Sequence, residues 1–382
     1  MIKIGFPRMH KEINEKRDFL PRFFRQLMNE KAELYLERGY GSAMGFSEED
    51  YLKENPRIQF TNHEDCYTKD MVIVLRAPEI HEIELMGEGS ILMSMLHYPT
   101  REKRTELLKK RNIYGISMDS VRNDLMERII VNYAGTSGNG IEMAFLELSK
   151  SMKNFYSRDR EIINVSIIGL GMVGLTAAKA AKMYGSTEIN EKMKKLGAKG
   201  VLVKMLPRNI TCDRHELMQL LKETDILVDA STRDITSEYI IKNEMLEYMK
   251  PSSIILDLTA DPYLTDVNPI QVKAVEGIPT GTLDKMVFYP DDEEYSLIPP
   301  SVSTVNRRVV VSCNAWPGLN AVECMRLYGK QLTPLVKMLI RNNIREVSEH
   351  SDSFFMRAAY RGSIEYFEKY EKLPAINPAN VI

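Results

Sequence analysis

The amino-acid sequence predicts an α/β protein built on doubly wound parallel sheets. Short apolar segments of strand type alternate with amphipathic segments of helical type, the pattern of a mostly parallel sheet covered by helices. The chain has 382 residues, more than one hydrophobic core usually holds, so about two domains are expected. Each domain therefore needs a sheet of its own.

The N-terminal part predicts the first of these sheets. The segment IKIGF at residues 2–6 is a short strand, and residues 20–51 have helical spacing that stops at Gly39 and Gly41. Three continuous apolar strands follow, DMVIVLRAP, SILMSMLH and IYGISMD. The charged segment TREKRTELLKKRN lies between the last two strands and predicts a helix.

A glycine turn marks the second sheet. Residues 163–185, INVSIIGLGMVGLTAAKAAKMYG, predict a buried strand, a tight turn and an Ala-rich helix. In the GxGxxG pattern, Gly169 permits the turn, Gly171 lets a pyrophosphate approach the helix N-terminus, and Gly174 lets the helix pack on the strand. We therefore predict a Rossmann-like domain that binds NAD or NADP. The predicted cofactor-binding residues here and at the end of the strand DILVDAS are Gly169, Gly171, Met172, Val173, Gly174, Ala230 and Ser231.

The choice between NAD and NADP depends on which segment forms the next strand. If that strand is STEIN, then Glu188, Asn190 or Glu191 meets the ribose, as an acidic residue does in NAD sites. If the strand is VLVKML, then Lys204 or Arg208 lies near its end, where a cation favours the 2′-phosphate of NADP. Both alternatives stay open, and we expect NAD in preference, with Glu188 and Asn190 in the predicted site.

Two hinges divide the chain into domains. The segment YAGTSGNG at 133–140 predicts a loop, whose backbone either faces the cofactor or substrate or only connects to the next helix. The segment IEMAFLELSKSMKNFYSRDR after it predicts a helix that links the two domains. The strand SIILDLTA and the helices RHELMQLLKET and YIIKNEMLEYMK complete the nucleotide domain, and SLIPPSVSTVN predicts the second hinge. The strand RVVVSCNAWPG and a long amphipathic helix follow. The predicted domains are residues 1–139 with 305–382, and residues 140–304 including the linking helix.

Composition excludes several classes of protein. Hydrophobic residues at 44%, charged residues at 27% and a net charge of -2 describe an ordinary globular protein without the basic excess that favours nucleic acid. The four cysteines show no CxxC spacing, which argues against zinc and disulfides, and no metal is expected. No segment has the apolar core of a signal peptide or the roughly 20 apolar residues of a membrane span. We therefore expect a cytoplasmic protein without nucleic-acid or membrane partners.

Several segments resemble the family of alanine dehydrogenase, the NAD-binding transhydrogenase subunit and saccharopine dehydrogenase. IGFPRMHKEINEKRDFL is similar to the opening strand and arginine loop of that family, and MVIVLRAPEI and EGSILMSMLHYPT to its active-site strands. The similarity continues through the glycine turn to MKPSSIILDLTADPY, and NAWPG is similar in position to a later turn. The resemblance implies two Rossmann-like domains, with the nucleotide domain inserted into a substrate domain made of both chain ends.

The resemblance also implies site residues. Arg17 matches the carboxylate-binding arginine of the family, and a guanidinium suits that task because its fork makes two parallel charged hydrogen bonds. His97 matches the catalytic histidine, so we predict that it transfers protons near neutral pH. Asp261 matches an active-site aspartate, whereas Asp257 is predicted to be structural.

Position 76 departs from the family, because Arg76 replaces a lysine. Arginine does not give up its proton usefully, so Arg76 is predicted to bind a carboxylate rather than to act as a base. The main expectation is an NAD(P)-dependent amino-acid dehydrogenase that converts an L-amino acid to a 2-oxo acid, as a dimer or hexamer. A second cation also fits an opine or saccharopine type of reaction that joins a 2-oxo acid to lysine or ornithine.

Two further alternatives stay open. The acidic segment around Asp291 and Glu293 either pairs with a basic substrate or is a solvated loop. A non-catalytic NAD(P)-binding subunit or sensor would keep the glycine turn without needing Arg17, His97 and Asp261 together. The joint presence of these three residues favours an enzyme.

Overall fold

The structure is a computed structural model that describes residues 1–233 and 235–372. The chain forms two compact units, and the second is inserted into the chain of the first. The first unit comprises Met1–Lys11, Glu15–Asn132 and the described residues from Asn320 onward. The second unit comprises Glu12–Asn14 and Tyr133–Leu319. This insertion and the two α/β sheets confirm the predicted fold class.

The sheet of the first unit consists of six parallel strands. They are β1 (Ile2–Phe6), β2 (Ala32–Glu37), β3 (Ile58–Thr61), β4 (Met71–Arg76), β5 (Ile91–Met95) and β6 (Tyr114–Ser117). The helices of this part of the chain are α1 (Pro21–Gln26), α2 (Glu48–Glu54), α3 (His63–Tyr67), α4 (Ile80–Glu84) and α5 (Glu102–Lys110). The strand order β3-β2-β1-β4-β5-β6 is that of a doubly wound sheet.

The prediction of helical structure from residue 20 up to Gly39 is wrong for most of that segment. The helix α1 ends at Gln26, and Ala32–Glu37 pairs with β1 as a parallel strand. Leu34 and Leu36 are buried against the core, so sheet pairing and burial override the helical propensity of this segment. The short strand β3 was not predicted because four residues carry too little periodic signal.

The second unit has a sheet of the order β11-β12-β10-β9-β7-β8, in which only β11 is antiparallel to its neighbour. Its strands are β7 (Ile163–Ile168), β8 (Val201–Leu206), β9 (Ile226–Asp229), β10 (Ile254–Asp257), β11 (Val287–Phe288) and β12 (Val309–Ser312). Its helices are α6 (Tyr133–Ser151), α7 (Met172–Ala181), α8 (Thr187–Leu196), α9 (Arg208–Thr211) and α10 (Arg214–Glu223). The buried strands β9 and β10 are continuous apolar runs, as a sheet covered on both faces requires.

Three local expectations fail in the second unit. The segment YAGTSGNG forms the first turns of α6 rather than a loop, and YIIKNEMLEYMK contains only the 3-10 helix Asn243–Tyr248. The predicted domain boundary at residue 304 also differs, because β12 pairs with β10 and the second unit continues to Leu319. Residues 373–382 of the predicted range 305–382 lie outside the described residues.

The C-terminal part returns to the first unit as α11 (Ala321–Arg341), α12 (Phe354–Arg361) and α13 (Ile364–Tyr366). The apolar side of α11 is buried, and Leu332 and Leu335 belong to the same core cluster as Phe6 and Phe24. The N-terminal elements β1 and α1 therefore share one core with α11. Among the described residues, no helix combines the length and apolar character needed to cross a bilayer.

Candidate functional site

The glycine turn of the second unit has the geometry of a phosphate-binding loop. Gly169 has φ 103°, and a Cβ there would lie 2.5 Å from the carbonyl oxygen of Ala230. A Cβ at Gly174 would lie 2.4 Å from the carbonyl oxygen of Gly169, so only glycine fits either position. A Cβ at Gly171 would instead meet open space. This turn therefore leaves room for a ligand at the N-terminus of α7.

A cavity of about 590 Å³ lies beside this turn. Its lining includes the predicted residues Gly169, Gly171, Ala230 and Ser231, at the carboxyl ends of β7 and β9. These strands flank the point where the strand order reverses, which is the usual ligand position in an open α/β sheet. Met172 and Val173 are not in the lining, but they begin α7, where the backbone N–H groups have no partner within the helix.

The strand on which the predicted ribose contacts of Glu188 and Asn190 depended does not form. Both residues lie on α8, because the segment that contains STEIN is a helix. The strand that pairs with β7 is β8, VLVKML, and neither Glu188 nor Asn190 lines the cavity. The sequence suggested the wrong segment because Ser, Thr and Ile there favour a strand locally, while Glu191 to Leu196 extend it as an amphipathic helix.

The residue at the end of β8 is basic rather than acidic. Pro207 and Arg208 follow the strand and line the cavity. Lys204, the other cation considered, is ion-paired with Glu223 at 2.5 Å. The first acidic residue after β8 is Asp213, whose carboxylate accepts hydrogen bonds from the backbone at the start of α10. The guanidinium of Arg208 makes no ion pair with any residue that the structure describes.

A buried charge network lies at the ends of β9 and β10. Asp257 accepts from Lys273 at 2.7 Å, both side chains being 1% exposed, and from the backbone N–H groups of Thr259 and Ala260. Burial acts to raise the pKa of Asp257, but the charge and hydrogen bond of Lys273 outweigh it and lower that pKa. Burial and the charge of Asp257 raise the pKa of neighbouring Asp229 to about 6. These contacts agree with the structural role expected for Asp257.

Asp261, a predicted catalytic residue, lies beyond this network. Its Oδ2 accepts a hydrogen bond from Arg233 Nη2 at 3.0 Å, and its side chain is one-third exposed. This ion pair holds the carboxylate of Asp261 beside Arg233. Asp291 and Glu293 of the acidic segment are exposed, while their neighbours Asp292 and Glu294 are ion-paired with Lys285.

In the first unit, the two predicted carboxylate-binding arginines share an internal carboxylate. Arg17 donates to Glu15 through Nε at 2.8 Å and Nη2 at 2.6 Å, and Arg76 Nη1 donates to Glu15 Oε2 at 3.3 Å. Burial acts to raise the pKa of Glu15, but Arg17 and then Arg76 outweigh it and lower the pKa. The Arg17 side chain is 4% exposed, whereas that of Arg76 is 18% exposed. Glu15 thus already makes the bidentate contact expected of a substrate carboxylate.

His97 lies beyond the carboxyl end of β5, beside the strand that ends at Arg76. Its Nδ1 is 3.2 Å from Asp119 Oδ2, and its side chain is 51% exposed. Asp119 is buried and also accepts from the Ser117 hydroxyl at 2.6 Å. Burial acts to raise the pKa of Asp119, but the charge and hydrogen bond of His97, with that of Ser117, hold it well below its usual range.

Asp119 and Glu15 were not among the residues predicted from the sequence. Asp119 lies in a single 3-10 turn, Met118–Ser120, after β6, and its partner is 22 positions away in the chain. No local pattern marks such a contact. Glu15 lies two residues before Arg17, and this short spacing was the one feature of the sequence that pointed to their ion pair.

A second cavity, of about 450 Å³, lies in the first unit. Cationic and histidine side chains and two glutamates dominate its polar lining: Arg8, His10, Lys11, His63, Arg76, Glu79, His81 and Glu82. Arg76 is thus the predicted site residue that faces this space. Arg17 lies behind Glu15 and does not belong to the lining.

Comparison with known proteins identifies two family matches. Residues 9–130 match the family model described as alanine dehydrogenase/PNT, N-terminal domain. Residues 159–263 match the model described as alanine dehydrogenase/PNT, C-terminal domain. Together these ranges cover more than half of the chain, and they fall on both sheets.

The curated relatives are distant. Alanine dehydrogenase of Geobacillus stearothermophilus is 23% identical over 269 residues, which cover 68% of this chain and 72% of that protein. NAD(P) transhydrogenase subunit alpha of Haemophilus influenzae is 22% identical over 370 residues, which cover 88% of this chain and 66% of that protein.

Two solved structures share the fold. An L-alanine dehydrogenase has a TM-score of 0.67 at 20% identity, covering 95% of this chain and 94% of that chain. A transhydrogenase from Sinorhizobium meliloti has a TM-score of 0.57 at 16% identity, covering 88% of this chain and 94% of that chain. At such identities the likeness shows the architecture alone.

Proposed function

Because the chain belongs to the alanine dehydrogenase/PNT family, we propose that it is an NAD(P)-dependent amino-acid dehydrogenase. In the proposed reaction an L-amino acid, water and the oxidised dinucleotide give a 2-oxo acid, ammonium, the reduced dinucleotide and one proton, and the reaction is reversible. The nicotinamide supplies the hydride chemistry when the cofactor is bound. The chain's own residues bind the substrate, orient it and move its protons.

The glycine turn is the observation that carries this proposal. Gly169 and Gly174 admit no side chain, and Gly171 faces open space at the start of α7, next to the cavity of about 590 Å³. That volume is within the usual range of small-molecule sites. The turn and the cavity therefore fit a dinucleotide whose pyrophosphate lies at the helix N-terminus.

We propose NADP(H) as the preferred dinucleotide, in place of the NAD expected from the sequence. The support is Arg208, which follows β8, lines the cavity and forms no ion pair within the described part of the chain. An arginine at this position of a Rossmann domain accommodates the 2′-phosphate, whereas an acidic residue would bind the ribose hydroxyls of NAD. Asp213 does not serve as the acidic residue that would bind those hydroxyls, because its carboxylate caps α10.

For the substrate, we assign the α-carboxylate to Arg76 and the proton transfer to His97. Arg76 faces the cavity of the first unit. Arg17 does not line this cavity, but it donates to Glu15, the same carboxylate that Arg76 contacts. His97 is half-exposed, so it reaches a ligand, and Asp119 fixes its ring orientation through Nδ1. This leaves Nε2 to exchange a proton with the amine nitrogen or the carbinol oxygen. Asp261 stays a predicted second proton-transfer residue.

One observation favours an opine type of reaction as the second candidate. Arg8 and Lys11 line the same cavity as Arg76, which gives that space more cations than a single carboxylate needs. A product made from a 2-oxo acid and lysine or ornithine carries a second carboxylate that these cations would bind. Assembly into a homo-oligomer stays a prediction, and light scattering would test it.

The decisive experiment measures oxidation of NADPH and NADH by absorbance at 340 nm. The reactions contain pyruvate, 2-oxoglutarate or glyoxylate, with either ammonium or a panel of amino acids as the amine. Oxidation that requires only ammonium supports the amino-acid dehydrogenase. Oxidation that requires lysine or ornithine supports the opine reaction instead. Binding of NADPH without any turnover would replace both with a nucleotide-binding sensor.

A further inference from the structure

A group of two histidines and one glutamate lies at the carboxyl edge of the first sheet. His10 follows β1, Glu37 ends β2, and His63 begins α3. Glu37 Oε1 is 2.8 Å from His10 Nε2, and Glu37 Oε2 is 2.7 Å from His63 Nδ1. One ligand atom from each of the three residues lies within 4.8 Å of the other two.

A fourth residue, Glu82, fixes the ring of His63. Glu82 Oε1 is 2.9 Å from His63 Nε2, on the opposite side of the imidazole from Glu37. When Nε2–H donates to this carboxylate, the lone pair of Nδ1 is directed towards His10 and Glu37. A carboxylate behind a ligating imidazole is the arrangement that orients histidines in metal sites and makes them better ligands.

We propose that His10, Glu37 and His63 bind one divalent transition-metal ion, with Zn²⁺ as the reference ion. Two imidazole nitrogens and one carboxylate oxygen are the donor set of zinc sites that keep a fourth position for water. The imidazoles favour Zn²⁺ over Mg²⁺ or Ca²⁺, which prefer oxygen ligands. This proposal does not rest on the proposed redox reaction.

Carboxylates face the imidazole of His63 on both sides, Glu37 at Nδ1 and Glu82 at Nε2. A divalent ion bound at Nδ1 would take the place of the hydrogen that joins this nitrogen to Glu37, because a ligating imidazole is neutral. The contact between Glu37 and the ring would then pass through the metal, and both carboxylates would carry charge opposite to that of the ion.

The site also has the required access and rigidity. His10 and His63 line the cavity of about 450 Å³, which has space for a water ligand. Glu37 is buried, and the backbone N–H of Arg8 donates to its Oε2 at 2.7 Å. Zn–N and Zn–O bonds of about 2.0 to 2.2 Å give ligand separations of about 3.4 Å. The two contacts of Glu37 with the imidazoles, at 2.8 and 2.7 Å, are shorter than these separations by about 0.6 Å.

The test is metal binding by the full-length chain, purified without a histidine tag and stripped with a chelator. Equilibrium dialysis against Zn²⁺ followed by elemental analysis gives the stoichiometry, and Co²⁺ absorption in the visible range reports the coordination geometry. We expect one Zn²⁺ per chain and a tetrahedral Co²⁺ spectrum. His10→Gln and His63→Gln should lose this ion, and Glu82→Gln should bind it about 10- to 100-fold more weakly.

His81→Gln is the matched control, because His81 lines the same cavity but lies outside the three-residue group. It should bind Zn²⁺ like the unchanged chain. Absence of Zn²⁺ binding by the unchanged chain would overturn the proposal, and so would equal binding by the His10 and His63 variants. Circular dichroism without metal checks that each variant folds. A rise in melting temperature on adding Zn²⁺, present in the control and absent in the variants, provides a second readout.

Discussion

The contact between His97 and Asp119 gives the sharpest test of the proposed chemistry. Asp119→Asn keeps the size of the side chain and an oxygen that can accept from His97 Nδ1, but it removes the negative charge. A hydrogen bond to a charged group contributes about 1.5 to 3 kcal/mol, and a neutral one about 0.5 to 1.5 kcal/mol. The substitution therefore weakens the contact by about 1.4 kcal/mol, which corresponds to about tenfold in rate.

The assay measures kcat and KM for the 2-oxo acid at saturating NADPH, together with the melting temperature. Asp119 contacts His97, so the substitution should disturb the position of the imidazole more than the binding of the substrate. We expect kcat to fall about tenfold and KM for the 2-oxo acid to change little. A purely structural role would instead lower the melting temperature without separating kcat from KM.

Two further variants serve as comparisons for Asp119→Asn. His97→Ala should remove turnover while leaving NADPH binding intact, because His97 and the nucleotide cavity belong to different units. Ser117→Ala removes the hydrogen bond that the Ser117 hydroxyl donates to Asp119 but keeps the carboxylate beside His97, so it should lower kcat less than Asp119→Asn does. An Asp119→Asn enzyme with unchanged kcat would refute the assignment of Asp119 as a positioning residue.

Three further predictions concern the cofactor and stability. Arg208→Ala should weaken NADPH binding about 10- to 100-fold in a fluorescence titration, with little effect on NADH binding. The control is Arg214→Ala, which removes another cation of the same cavity, one that already has an ion-pair partner. This control should change the affinities for NADPH and NADH equally. Lys273→Met leaves the buried carboxylate of Asp257 without its partner and should lower the free energy of unfolding in urea by about 3 to 5 kcal/mol. The control Lys285→Met removes an exposed ion pair and should hardly change the urea midpoint of unfolding. Burial raises the pKa of Asp18 to about 6 from its ordinary 3.8, so the stability contributed by this group is fully present below about pH 4 and is lost as the pH rises through 6. Asp18→Asn should reduce that decline in urea midpoints measured from pH 4 to 8, and an unchanged decline would contradict the assignment.

The sequence predicted the elements that depend on continuous apolar runs. The strands β4, β5, β7 and β10 lie where their apolar segments indicated, and the glycine turn between β7 and α7 has its expected geometry. Each of these features is encoded within a few neighbouring residues. Local patterns are sufficient there because burial on both sheet faces demands an unbroken apolar segment.

Features that depend on distant contacts were missed or misassigned. Residues 32–37 become a strand because β1 offers a parallel partner, and the STEIN segment becomes helical because β8 already occupies the position beside β7. The partnership of His97 with Asp119 likewise requires the ends of β5 and β6 to be adjacent in space. Tertiary pairing of this kind overrides local propensity and leaves no periodic signal.

The internal carboxylate of Glu15 has a consequence for ligand selection. Any anionic group that comes to bind Arg17 and Arg76 takes part in an exchange, in which one carboxylate leaves the guanidinium groups as another arrives. The carboxylate of the ligand then replaces an ion pair that the protein already makes, so it adds less to the affinity than a newly formed ion pair would. Affinity for such a ligand therefore depends more strongly on its remaining atoms.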